Sequence, residues 1–162
     1  MIYHPIPPIF DENSKILILG SFPSVKSREE AFFYGHKQNR FWKVISAVFG
    51  ADEPKAVPEK KDFLLKYGVA LWDVIASCDI EGSADSTIKN VTPNDLSPIL
   101  KTAKIEKIFV NGKSAARYYE RNIAPVTEIS AITLPSTSPA NAAWSIERLT
   151  NEWKLKIKTK EI

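Results

Sequence analysis

Four short apolar runs limit what this chain can fold into. They are KILILG (15–20), VALWDV (69–74), KIFVNG (107–112) and EISAITLP (128–135). KILILG does not alternate apolar with polar residues, and Gly20 stops it. An unbroken run of this length suits a strand covered on both faces, as in a parallel sheet. The stretches between the runs carry helical spacing. In NRFWKVISAVFG, apolar residues fall at 41, 42, 45, 48 and 49, with Asn39 placed to cap the start and Gly50 to stop the end. PEKKDFLLKYG (58–68), TPNDLSPILKTA (92–103), KSAARYYERN (113–122) and NAAWSIERLTNEWK (141–154) read as further helices. Strand and helix in alternation predict an α/β fold, with right-handed crossovers putting helices on both faces of the sheet. SFPSVKSREE reads as a loop, and HPIPPIF as an extended Pro-rich segment on the surface. KLKIKTKEI alternates Lys with apolar residues and reads as an edge strand or a frayed tail.

Composition narrows the function classes. With 162 residues, a single domain over 1–162 is expected. One Cys excludes an internal disulfide and fits an intracellular setting; two distant His leave too few ligands for a Cys/His zinc site. The opening MIYHPIPPIFDENSK lacks a basic stretch followed by an apolar run, so no signal peptide is expected. No apolar stretch approaches membrane-spanning length. The expectation is a cytoplasmic protein with no metal and no membrane contact. A net charge of +3 is compatible with a polyanion but does not demand one.

In open α/β sheets, ligands bind beyond the carboxyl ends of the strands. Four places qualify: GSFPS (20–24), Asp73, the pair Asn111–Gly112, and LPSTSPAN (134–141). GSFPS is either a plain turn or a site of close backbone approach to a base or phosphate; its glycine spacing is neither a dinucleotide fingerprint nor a Walker loop. LPSTSPAN offers Ser136, Thr137, Ser138 and Asn141 on a backbone stiffened by two prolines. These suit phosphate contacts, or Ser138 or Asn141 caps the last helix. FFYGHKQNRFW (32–42) borders the same crevice. Tyr34 offers a stacking face; Lys37, Arg40 and His36 offer partners for phosphate; Asn39 offers an amide to a base or water, or caps its helix. From composition and spacing alone, the chain is an α/β domain suited to a nucleotide or nucleic acid.

The ordered set GSFPS, FFYGHKQNRFW, VALWDV, FVNG and LPSTSPAN resembles the uracil-DNA glycosylase superfamily, most of all its hypoxanthine (deoxyinosine) branch, over residues 15–153. The resemblance implies a three-layer α/β/α sandwich with a central four-stranded parallel sheet. It implies a monofunctional glycosylase that acts as a monomer on damaged DNA without cofactor, flips a deaminated base and hydrolyses its glycosidic bond. Where uracil branches carry a water-positioning Asp or Asn, this chain has Phe22, which cannot position water. By the same resemblance Asn39 and Asn111 are the expected catalytic residues. Tyr34 is expected to stack on the flipped base, and Gly20, Ser21, Phe22 and Asp73 to border it, with Asp73 replacing a base-reading Asn. His36, Lys37, Arg40, Ser136, Ser138, Pro139, Ala140 and Asn141 face the DNA. The alternatives are uracil opposite guanine as substrate, or a non-catalytic nucleic-acid-binding member of the fold.

Overall fold

The computed structural model describes residues 1–158. Its centre is a parallel sheet of β2 (Ile16–Gly20), β3 (Val69–Asp73), β6 (Lys107–Asn111) and β7 (Ala131–Leu134), in the order β3-β2-β6-β7. The alternation of strand side chains divides the core. Leu17 and Leu19 of β2 point to one face, where they meet Ala70, Ile108 and Val110. Ile18 points to the other, with Val69, Leu71, Phe109 and Leu134. Both faces are buried, which is why the strands read as continuous apolar runs.

Helices α2 (Phe41–Val48), α3 (Val57–Lys66) and α7 (Ile146–Lys158) cover the face of Ile18. They bury Phe41, Trp42, Ile45, Phe63, Leu64, Leu149 and Trp153 there. α4 (Ser97–Thr102) and α5 (Lys113–Asn122) cover the other face through Ile99, Ala115, Tyr118 and Tyr119. The short α6 (Ala124–Thr127) follows α5. The three-layer α/β/α sandwich with four parallel strands is thus the fold observed.

Several elements differ from the sequence reading. A second, antiparallel sheet, β1-β4-β5, is built from β1 (Ile2–Tyr3), β4 (Ile75–Asp79) and β5 (Lys89–Pro93). β5 takes Thr92 and Pro93 from the stretch expected to be helical, and the helix starts only at Ser97. The segment expected as a loop contains α1 (Val25–Glu30), capped by Ser24, whose side chain accepts from the Ser27 N–H. HPIPPIF exposes Pro5 and Pro7 as expected but is anchored rather than merely laid over the surface. Ile6 and Ile9 are buried, and Ile9 exchanges two backbone hydrogen bonds with Leu71 at 2.9 and 3.0 Å. KLKIK (154–158) is neither strand nor frayed, because it completes α7. The rest of that expected tail, 159–162, lies outside the described residues. Among the described residues, no helix is long and apolar enough to cross a membrane.

Candidate active site

The carboxyl ends of all four parallel strands open into one cavity of about 1110 Å³, with Gly20, Asp73, Asn111 and Leu134 in its wall. FFYGHKQNR and LPSTSPAN close it from the loops.

A hydrogen-bonded chain joins the two expected catalytic amides. Asn111 Oδ1 accepts from the Thr137 backbone N–H at 3.1 Å. That N–H can only donate, so Asn111 must turn its NH₂ the other way. There it donates to Thr137 Oγ1 at 3.0 Å and to the Tyr34 hydroxyl at 3.1 Å. Thr137 Oγ1 in turn donates a hydrogen bond to Asn39 Oδ1 at 2.9 Å. The Phe41 N–H donates to the same Oδ1 at 3.0 Å. Two donors therefore fix the Asn39 carbonyl oxygen, and the Asn39 NH₂ is left as a donor in the cavity wall. Asn39 was expected either to cap its helix or to serve chemistry. It does bond the first N–H of α2, through an Asx-type turn, although the capping position belongs to Arg40.

Thr137 is the functional residue the sequence reading underrated. It is completely buried, yet all its polar atoms near the site are engaged with the two amides. Its signal was its place in LPSTSPAN; its partners could not be read there.

Tyr34 stacks on Phe41 with ring centroids 4.1 Å apart, so one of its faces is already covered. Its backbone is left-handed, at φ 53°. Burial, then the nearby Asp73 charge, pushes its phenol well above the ordinary value, so the hydroxyl stays protonated. Gly20 stands beside it for a steric reason. A Cβ at that position would overlap Asp73 Oδ1 and come within 3.0 Å of the Tyr34 oxygen. Gly112 is needed likewise, with φ 98° and space for a Cβ only 3.0 Å from that of Ser136.

Asp73 is buried and hydrogen-bonded to His4, Nε2 to Oδ2 at 2.7 Å. Phe22 lines the cavity and meets the His4 ring edge-on at 5.9 Å. Ser21 donates its hydroxyl to Asp85 Oδ2 at 2.8 Å. Asp85, on a short 3-10 turn (Asp85–Thr87), is a second cavity acid absent from the sequence reading. Burial raises its pKa, against hydrogen bonds from Ser21 and Ser114 that lower it.

The residues expected to face DNA divide into two sets. Arg40 does not offer its charge outward. Its guanidinium donates to the carbonyls of Trp144, Ser138 (2.9 Å) and Asn141 (3.1 Å), holding the 137–144 loop against α2. Ser136 and Ser138 each accept a backbone N–H, at 3.1 Å, and keep a hydroxyl proton to donate. His36, Lys37, Pro139 and Ala140 are exposed, and Asn141 holds the loop through the Ser136 carbonyl at 3.0 Å. Lys113, exposed in the cavity wall where α5 begins, is a cation the sequence reading passed over. Among the described residues, no group of three or more His, Cys, Asp or Glu is arranged to hold a metal.

A parallel α/β sandwich with polar amides over the strand ends offers a pocket suited to a flipped base, and comparison with known proteins identifies the family. The sequence profile of the uracil DNA glycosylase superfamily matches residues 7–158. The chain belongs to that superfamily. A hypoxanthine DNA glycosylase of Methanosarcina acetivorans is 36% identical over 158 residues, covering 95% of this chain and 97% of that protein. One from Methanosarcina barkeri is 33% identical over 114 residues, covering 69% of this chain and 72% of that protein. The solution NMR structure of a candidate uracil DNA glycosylase from Methanosarcina acetivorans superposes with a TM-score of 0.80 at 35% identity, over 95% of each chain.

Proposed function

We propose that the protein is a monofunctional DNA glycosylase that flips hypoxanthine out of deoxyinosine-containing DNA and hydrolyses its glycosidic bond. The observation that carries this reading is the fixed orientation of Asn39. With Oδ1 occupied by two donors, its NH₂ is the group available to the reaction. An amide is a poor proton acceptor, and here even its acceptor atom is engaged. Asn39 therefore serves as a donor to the departing base, stabilising negative charge as the bond to the sugar breaks through an oxocarbenium-like transition state. Asn111 and Thr137 hold it in place. The hypoxanthine relatives support the choice of base. Phe22, where a water-positioning side chain would otherwise stand, favours a route governed by leaving-group departure.

In this reading Asp73 accepts from the N1–H of the base, and Tyr34 forms the wall beside it. Ser136 and Ser138 donate to flanking phosphates, with His36, Lys37 and Lys113 adding basic groups. Pro139, Ala140 and Asn141 stand near the gap the base leaves. The enzyme acts as a cytoplasmic monomer on damaged DNA. The test is abasic-site formation on duplexes carrying inosine, uracil or xanthine. Hypoxanthine release is expected. Uracil release without hypoxanthine release replaces the substrate with uracil opposite guanine, and DNA binding with no abasic product refutes catalysis.

A further inference from the structure

His4 reaches the cavity acid from just beyond β1, 69 residues away in sequence. Its side chain is only 3% exposed and its Nε2 lies 2.7 Å from Asp73 Oδ2. Its other ring nitrogen, Nδ1, accepts the Ile6 backbone N–H at 3.2 Å. Because that N–H can only donate, Nδ1 carries a lone pair and the ring proton sits on Nε2, aimed at Asp73. Edge-on contacts with Phe22 and Trp72, at 5.9 and 6.2 Å, hold the ring in that attitude. One oxygen of the carboxylate is therefore already in use. The other, Oδ1, lies against Gly20, where any Cβ would overlap it.

We infer that His4 is a specificity-determining positioning residue: its N–H takes up a lone pair of Oδ2 and its buried ring stands against that oxygen, leaving Oδ1 as the acceptor for the flipped base. This rests on the reading of Asp73 as the base-reading group. The consequence concerns guanine. Hypoxanthine and guanine are both 6-oxopurines and differ by one group, the 2-amino of guanine. On the edge in question, hypoxanthine offers one donor, N1–H, while guanine offers two neighbouring donors. A carboxylate with both oxygens free pairs with both of guanine's donors in bidentate fashion. With Oδ2 held by His4, the 2-amino group is stripped of water and meets an imidazole instead of an acceptor. An unpaired buried polar group of this kind is a strong ground for rejection. A glycosylase that works in DNA must leave guanine alone, and His4 supplies the means.

The experiment measures single-turnover base release by the full-length protein from duplexes carrying inosine opposite thymine or guanine opposite thymine. Both are mispairs, so extrusion is comparably easy. His4→Phe keeps an aromatic ring but removes the donor. It should lower the inosine-to-guanine rate ratio by about tenfold or more, with guanine release gaining relative to inosine. His4→Gln, which retains an N–H donor, should keep the wild-type ratio. If circular dichroism shows His4→Phe unfolded, His4→Leu takes its place. An unchanged ratio in the folded apolar variant overturns the inference. Asp73→Asn separates this failure from a deeper one. Loss of inosine release supports the underlying reading, whereas wild-type release by Asp73→Asn overturns that reading and the role of His4 with it.

Discussion

The cavity holds two clusters built on opposite electrostatic plans. Asn39, Thr137, Asn111 and Tyr34 form a neutral relay in which each oxygen is filled by a donor and the Asn39 NH₂ is left over. Asp73 and His4, with Asp85 and Ser21 nearby, form an acidic cluster whose charge is held by donors behind it. The relay presents donors, which suit a base gaining negative charge as it departs. The acidic cluster presents acceptors, which suit the N–H of an intact base. In the proposed reading departure and recognition fall to separate groups, and Tyr34 touches both: it is hydrogen-bonded to Asn111 and lies beside Gly20 and Asp73.

This contrast can be broken from either cluster. The largest effect is expected from Asn39→Ala, which removes the relay's free donor. Base release should fall by roughly 100- to 10,000-fold while the fold and DNA binding persist, with about 1–2 kcal/mol of stability lost because the Phe41 N–H and the Thr137 hydroxyl lose their acceptor. Rates within a few-fold of wild type would remove Asn39 from the chemistry. Gly20→Ala strikes the acidic cluster instead. The added Cβ must displace the Asp73 carboxylate, so inosine release should fall by about 100-fold and the relay remain intact. A crystal structure of this variant with Asp73 unmoved and full activity would refute the steric account.

Thr137→Val keeps the relay's shape but deletes its bridge. It leaves Asn39 Oδ1 with one donor and Asn111 Nδ2 with one acceptor fewer. Activity should drop by about tenfold, with about 1–3 kcal/mol of stability lost in urea unfolding. The smallest effect is expected from Asp85→Asn. Burial raises the Asp85 pKa, so its ionised form costs stability in the fold. That cost is present above the shifted pKa and disappears as pH falls through it. Asp85→Asn should therefore raise the melting temperature by a few degrees at neutral pH, and the gain should shrink on acidification. A gain that grows as pH falls would reverse the assigned sign.

The contrast also explains what could be read from the chain. Strands β2, β3 and β6 were legible because each is buried on both faces and no polar alternation obscured them, and the edge strand β7, with Thr133 exposed, was legible as a short apolar run. β5 was not, because Lys89, Asn90 and Thr92 are exposed and its burial comes only from its partners. Asn111 was singled out by its place at a strand end, and Asn39 by the resemblance of FFYGHKQNRFW. The bridge at Thr137 was hidden among equivalent hydroxyls, since its bond to Asn39 spans 98 residues. His4 carried no local signal: a single His in a Pro-rich opening gives no hint of a carboxylate 69 residues on. Arg40 was misjudged because a cation beside a polar loop looks the same in sequence whether it meets phosphates or backbone carbonyls.

The Arg40 clamp has a dynamic consequence. The loop it holds also carries Thr137, whose hydroxyl is the sole described link between the two amides. Opening of that loop would release Asn39 and Asn111 in the same event. A local fluctuation far smaller than global unfolding would then be enough to disperse the whole relay. On the proposed role of Asn39, catalytic competence would follow the population of that closed loop, and DNA that held the loop shut would raise it without altering any bond in the sheet.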